Sequence, residues 1–188
     1  MNRLNFEVKY RCDDLEIFSA LFLANHFLSL GADEQTDTYF QTSQGILKLR
    51  ESNSPIESGL IYYEKKPYKN IQKSDIIIYS SPDSASLKEI LTKSNTVKLV
   101  VKKTRQIYQQ DNVRFHLDNV ENLGNFLEIE VQDTHGLIPQ EVLLHQLSFY
   151  IKLLGLKKSD RVTQSYSELL TAKPRKNQKV KFLKSRES

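Results

Sequence analysis

The sequence predicts an α+β protein: about eight antiparallel strands with flanking helices, closed into a β-barrel with a polar interior. Three observations carry this. Gly124 to Val131 alternates apolar and acidic residues, which puts Glu128 and Glu130 on one strand face and Leu127, Ile129 and Val131 on the other. The same alternation recurs with cations: Lys48 and Arg50 flank Leu49, Lys103 and Arg105 flank Thr104, and Arg114 and His116 flank Phe115. The polar faces are also sorted by sign. Glu7, Glu128 and Glu130 come from the first and last strands, which a barrel brings together, and the paired cations come from between. Alternation alone fits an open sheet with one solvated face equally well. The sorting by sign and the repeated cation pairs favour closure.

In chain order, Leu4 to Arg11 reads as a strand with Phe6 and Val8 on one face and Asn5, Glu7 and Lys9 on the other. Asp13, Asp14 and Glu16 mark a helix start, and the apolar series Ile17, Leu21, Ala24, Leu28 carries the helix to Leu30, with Gly31 as its stop. Asp37–Gln41 and Ile46–Glu51 form a hairpin around Thr42-Ser43-Gln44-Gly45. After a loop through Pro55, Leu60–Lys66 is a Tyr-rich strand ended by Pro67, and Ser74–Ser80 is another. Ser81-Pro82-Asp83 caps a helix over Ala85–Lys93. Val97–Gln109 and Val113–Asp118 are strands joined by a turn, followed by the acidic strand. Pro139 opens a helix to Leu154, and Ser159-Asp160 caps a last one to Leu170.

A chain of 188 residues suffices for one domain with its own core. The formal charge of +4 is unevenly placed. Residues 173–188 hold seven Lys or Arg against Glu187, which leaves 20 basic and 22 acidic residues in 1–172. The expected organisation is therefore a near-neutral domain over 1–172 and a basic, disordered tail over 173–188. A nucleic-acid role is unfavoured except through that tail. No apolar run is long enough to span a membrane. One cysteine, Cys12, and no signal-peptide pattern lead to a cytoplasmic expectation.

The charged faces carry the chemistry. Converging Arg and Lys suit a polyphosphate, and carboxylates beside them suit Mg2+ or Mn2+, which bind through one or two carboxylates plus substrate phosphate. The scattered glycines form no phosphate loop, and the four histidines lack zinc-ligand spacing. Cys12 has no activating neighbour in sequence, and Tyr62 and Tyr63 read as packing residues.

Ordered pieces of the chain resemble the CYTH, or triphosphate-tunnel, family in its class IV adenylyl cyclase-like branch. They are Phe6-Glu7-Val8-Lys9, Gln35 to Phe40, Gly45 to Arg50, Leu60 to Tyr63, Lys103-Thr104-Arg105 with Tyr108, His116-Leu117-Asp118, Leu123 to Glu130 and Ser165 to Leu170. The likeness extends over about residues 4–170. It implies an eight-stranded antiparallel tunnel that binds a triphosphate with Mg2+ or Mn2+. By that likeness Glu7, Glu128 and Glu130 are the metal-side acids. Lys9, Lys48, Arg50, Lys103, Arg105 and Arg114 hold phosphates, together with Lys66 or its neighbour Lys65 on the opposite strand face, and Lys9, Lys48 and Arg50 are the candidate catalytic residues. The family signature reads Glu, any residue, Glu, any residue, Lys; here its first position is Asn5, which offers a carbonyl oxygen but no charge.

The resulting functional expectation is an enzyme, a monomer or homodimer, that converts ATP to cyclic AMP and pyrophosphate. In that expectation the metal activates the ribose 3′-hydroxyl for attack on the α-phosphorus. A triphosphatase acting on thiamine triphosphate, nucleotide or inorganic triphosphate is the alternative. A module that binds polyphosphate or nucleotide without turnover is the third.

Overall fold

A computed structural model describes residues 3–53, 58–68, 71–81 and 83–172, and within these all side chains except those of 3, 4, 65–68 and 71–73. The basic tail, the loop around Pro55 and the side chains of Lys65 and Lys66 lie outside the described residues.

The elements are β1 (Arg3–Cys12), α1 (Glu16–Ala24), β2 (Leu28–Phe40), β3 (Ile46–Ser52), β4 (Gly59–Tyr68), β5 (Ile71–Tyr79), α2 (Ser84–Ser94), β6 (Val97–Gln110), β7 (Val113–Val120), β8 (Gly124–Asp133) and α3 (Gln140–Leu153). A 3-10 turn (Lys158–Asp160), a two-residue β9 (Arg161–Val162) and α4 (Tyr166–Ala172) follow. The sheet runs β5-β4-β3-β2-β6-β7-β8-β1, and β5 pairs back onto β1, so eight strands close a ring. Every pairing is antiparallel. Closure rests on the β1–β5 ladder, where Asn5 faces Ser74. β9 adds to β1 beyond that ladder, opposite Lys9 and Tyr10.

The alternation then divides outside from inside. Phe6, Val8, Tyr10, Phe115, Leu117, Leu127, Ile129 and Val131 point outward, where α1 and α3 cover them with Phe22, Leu143 and Leu147. Phe22, Phe27, Phe115 and Tyr150 form a chain of ring contacts with centroids 4.9–6.2 Å apart. This core holds the β1–β8–β7 wall rigid behind the polar inner face. A smaller cluster of Tyr39, Val101, Val120, Phe126 and Tyr166 lies inside the ring on the side toward α4.

Several boundaries differ from the sequence expectation. α1 stops at Ala24, and His26 takes a left-handed φ of 59° to turn the chain. Leu28, Ser29 and Leu30 belong to β2, and Gly31 marks a bulge in the β2–β6 ladder rather than a helix end. Apolar residues at helical spacing also suit a strand; pairing with β6 decided between them. Pro67 does not end β4, which runs on to Tyr68 paired with Ile71. The last helix begins at Tyr166, and Arg161–Val162 is the ninth strand, too short to show a period. The expected turn at Gly45 holds: its φ is 61°, and a Cβ there would lie 2.5 Å from the Tyr62 ring.

Candidate functional site

The ring encloses a cavity of about 440 Å3, within the range of small-molecule sites. Lys9, Lys48, Arg50, Lys103, Arg105, Arg114, Glu7, Glu128 and Glu130 all line it. Lys66, the remaining residue expected there, has its side chain outside the described set. Asn5, His116, Asp37, Tyr39, Tyr63 and Tyr166 line the cavity too.

Cross-strand register sets which charges meet. On β2 and β3, Asp37 lies opposite Arg50. Its carboxylate accepts from Arg50 Nε at 2.7 Å and Nη2 at 2.9 Å, and from Lys48 Nζ at 2.8 Å. Lys103 Nζ stands 3.6 Å away. Burial opposes the charge on Asp37, but Arg50, Lys48 and Lys103 outweigh it and hold its carboxyl well below the usual range. The cations carry the converse cost. Burial, with Arg50 alongside, lowers Lys48 to about 8. Burial, with Arg105 and Arg50, lowers Lys103 to about 7.

A second group forms on β6, β7 and β8. Arg105 donates Nε to Asp118 Oδ1 at 2.6 Å, and its Nη2 reaches Asp118 Oδ2 at 2.5 Å and Glu128 Oε2 at 2.6 Å. Tyr166, from α4, donates its hydroxyl to Asp118 at 2.7 Å. Lys9 Nζ pairs with Glu128 at 3.0 Å and sits 3.9 Å from the centre of the Tyr166 ring. Burial resists ionisation of Glu128, yet Lys9 and Arg105 keep it well below the normal carboxyl range. His116 lies 3.6 Å from Glu128 and 3.9 Å from Glu130. Burial and then Arg105 lower its pKa, against the opposing pull of Glu128 and Glu130.

Two anchoring acids, Asp37 and Asp118, were absent from the expected site residues. Both sat in recognised sequence pieces, but an acid among cations is not marked by alternation alone. The signal available was parity: Asp37 shares a face with Tyr39, and Asp118 with His116 and Arg114.

The residues from 3 to 166 match the CYTH domain. The chain belongs to the CYTH family. It is 27% identical over 173 residues to the adenylate cyclase CyaB of Aeromonas hydrophila, covering 89% of this chain and 88% of that protein. Among solved structures, the PH1012 protein of Pyrococcus horikoshii is similar with a TM-score of 0.74 and 28% identity, over 88% of this chain and 98% of that one. An adenylyl cyclase-like protein of Hippeastrum, described as having a dominant triphosphatase activity, shares the fold with a TM-score of 0.58 at 14% identity, over 91% of this chain and 95% of that one.

The acidic side of this CYTH barrel tests the expected metal. Glu7 and Glu130 are register partners across β1 and β8, as are Lys9 and Glu128. Asn5 Nδ2 donates to Glu130 Oε1. Asn5 Oδ1 is buried and has no hydrogen-bond partner, which leaves an oxygen donor unused beside two carboxylates. These donors are all oxygens, the type hard divalent cations take. Among the described residues no three His, Cys, Asp or Glu side chains form a ready-made metal cluster, and Glu128 is already engaged by Lys9 and Arg105. The donors fit an ion that takes its other ligands from water and phosphate, not an all-protein cage. No described helix is long and apolar enough to cross a membrane.

Proposed function

We propose that the barrel is a triphosphate site that converts ATP to cyclic AMP and pyrophosphate with Mg2+ or Mn2+. The observation that carries the reading is the ring of six cations, Lys9, Lys48, Arg50, Lys103, Arg105 and Arg114, around one cavity. The likeness to CyaB along nearly the full chain supports the choice of reaction. In this reading Lys48, Arg50, Lys103 and Arg105 bind the phosphate oxygens and stabilise the charge that grows on departing pyrophosphate. The step forms the bond from O3′ to the α-phosphorus, breaks the α-phosphorus bond to the leaving oxygen and releases the 3′-hydroxyl proton to water. Lys9, Lys48 and Arg50 are the proposed catalytic residues, with Arg114 holding phosphate at the β7 side. Asp37 and Asp118 hold the cations in place, so that little reorganisation is needed when the anion arrives. A metal ion held by Glu7, Glu128 and Glu130, with Asn5 Oδ1 as a neutral donor, would supply further charge neutralisation.

Incubation with ATP and Mn2+, followed by separation of products, tests the reaction. Cyclic AMP with equimolar pyrophosphate is the expected result. Orthophosphate without cyclic nucleotide would replace cyclisation with hydrolysis in the same barrel. ATP binding with no product would leave a binding module.

A further inference from the structure

The cavity wall is divided by chemistry. Among the described side chains its charged lining comes from β1, β2, β3, β6, β7 and β8, while β4 and β5 present Ile61, Tyr63, Ile76 and Ile78 together with Ser74. Register makes the four apolar residues one patch: Ile61 lies opposite Ile78, and Tyr63 opposite Ile76. The patch adjoins the cations, because Lys48 is the register partner of Ile61 across β3 and β4. Neighbouring strands are about 4.8 Å apart, so a group attached to a phosphate at Lys48 reaches the patch within one strand spacing.

Ile61 itself is buried, but its register partner Ile78 is open. Ile78 is 47% exposed, and all four face the cavity. An inorganic triphosphate presents only oxygen and would leave this wall in water. Covering it takes a ligand with an apolar face. We infer that the barrel selects organic triphosphate esters carrying a ring or other apolar-faced group over inorganic triphosphate, with Ile61, Tyr63, Ile76 and Ile78 as the specificity-determining wall. This rests on the triphosphate reading above and narrows it.

The test is calorimetric titration of ATP and of inorganic tripolyphosphate into the protein, with Ca2+ in place of Mg2+ to slow turnover. Charge alone favours tripolyphosphate, so tighter binding of ATP is the informative result, and it is the one expected. Ile76→Ser and Ile61→Ser, each checked for an unchanged thermal midpoint, should weaken ATP about tenfold and leave tripolyphosphate within about twofold. Tripolyphosphate binding as tightly as ATP, or variants that weaken both ligands equally or neither, would overturn the proposal while keeping the triphosphate site. Binding of neither ligand would remove that site and this proposal together.

Discussion

Arg50 and Asp37 meet in a fork, Nε to Oδ1 at 2.7 Å and Nη2 to Oδ2 at 2.9 Å, in the interior of the barrel. The same carboxylate holds Lys48 and Lys103, so among the described residues Asp37 gathers three buried cations. In the proposed reading a polyphosphate supplies further negative charge to these cations.

Asp37→Asn should therefore destabilise the protein by about 3–5 kcal/mol, the cost of leaving buried cations uncompensated. Denaturant unfolding measures this. Added tripolyphosphate or ATP should restore more stability to the variant than it adds to the parent. Equal gains in both would mean that the ligand does not meet these cations.

Lys103 and Lys48, lowered to about 7 and about 8, give opposite pH trends for folding and binding. Between those values and the unfolded lysine range the unfolded chain holds more protons, so these two groups make stability rise with pH from about 7 to about 10. Anion binding needs the charged lysines and should weaken over the same range. Lys103→Met should flatten part of both trends. Comparing thermal midpoints and ATP affinities of parent and variant at pH 6.5, 8 and 9.5 checks the signs; trends of the same sign would contradict the lysine assignment.

Asn5→Glu should convert the Asn5–Glu130 hydrogen bond into a carboxylate pair. Without metal the like charges repel, so the thermal midpoint in EDTA should fall. Mn2+ should bind the variant more tightly than the parent, read by the loss of the free-ion electron paramagnetic signal, and should recover the midpoint. Unchanged Mn2+ affinity would move the ion away from this end of β1.

Glu130→Gln should abolish turnover at limiting Mn2+ with little loss of fold, since it relieves repulsion with Glu7 across the ladder. Full activity at limiting metal would make Glu130 a purely structural acid.

Much of the barrel was legible because strand alternation is a local property. Glu7, Lys9, Lys48, Arg50, Lys103, Arg105, Arg114, Glu128 and Glu130 took their shared face from parity, and the sign sorting pointed to closure. The β1–β5 ladder itself left no local trace, because pairing residues some 70 apart in sequence follows from the hairpins between them. Leu28 to Leu30 misled because their spacing suits a helix as well as a strand. Asp37 and Asp118 stayed hidden as anchors for a related reason: which cation an inward acid meets depends on register, and register is fixed only when the strands assemble.

The most direct test of the central claim is titration of ATP into the parent protein and Lys103→Gln, with product formation held off by Ca2+. Lys103 has the longest of the Asp37 contacts, so its loss should spare the fold. The expected result is one ATP per chain, an affinity at least about tenfold lower in the variant, and equal thermal midpoints without ligand. No ATP binding by the parent, or binding indifferent to Lys103→Gln, would contradict it.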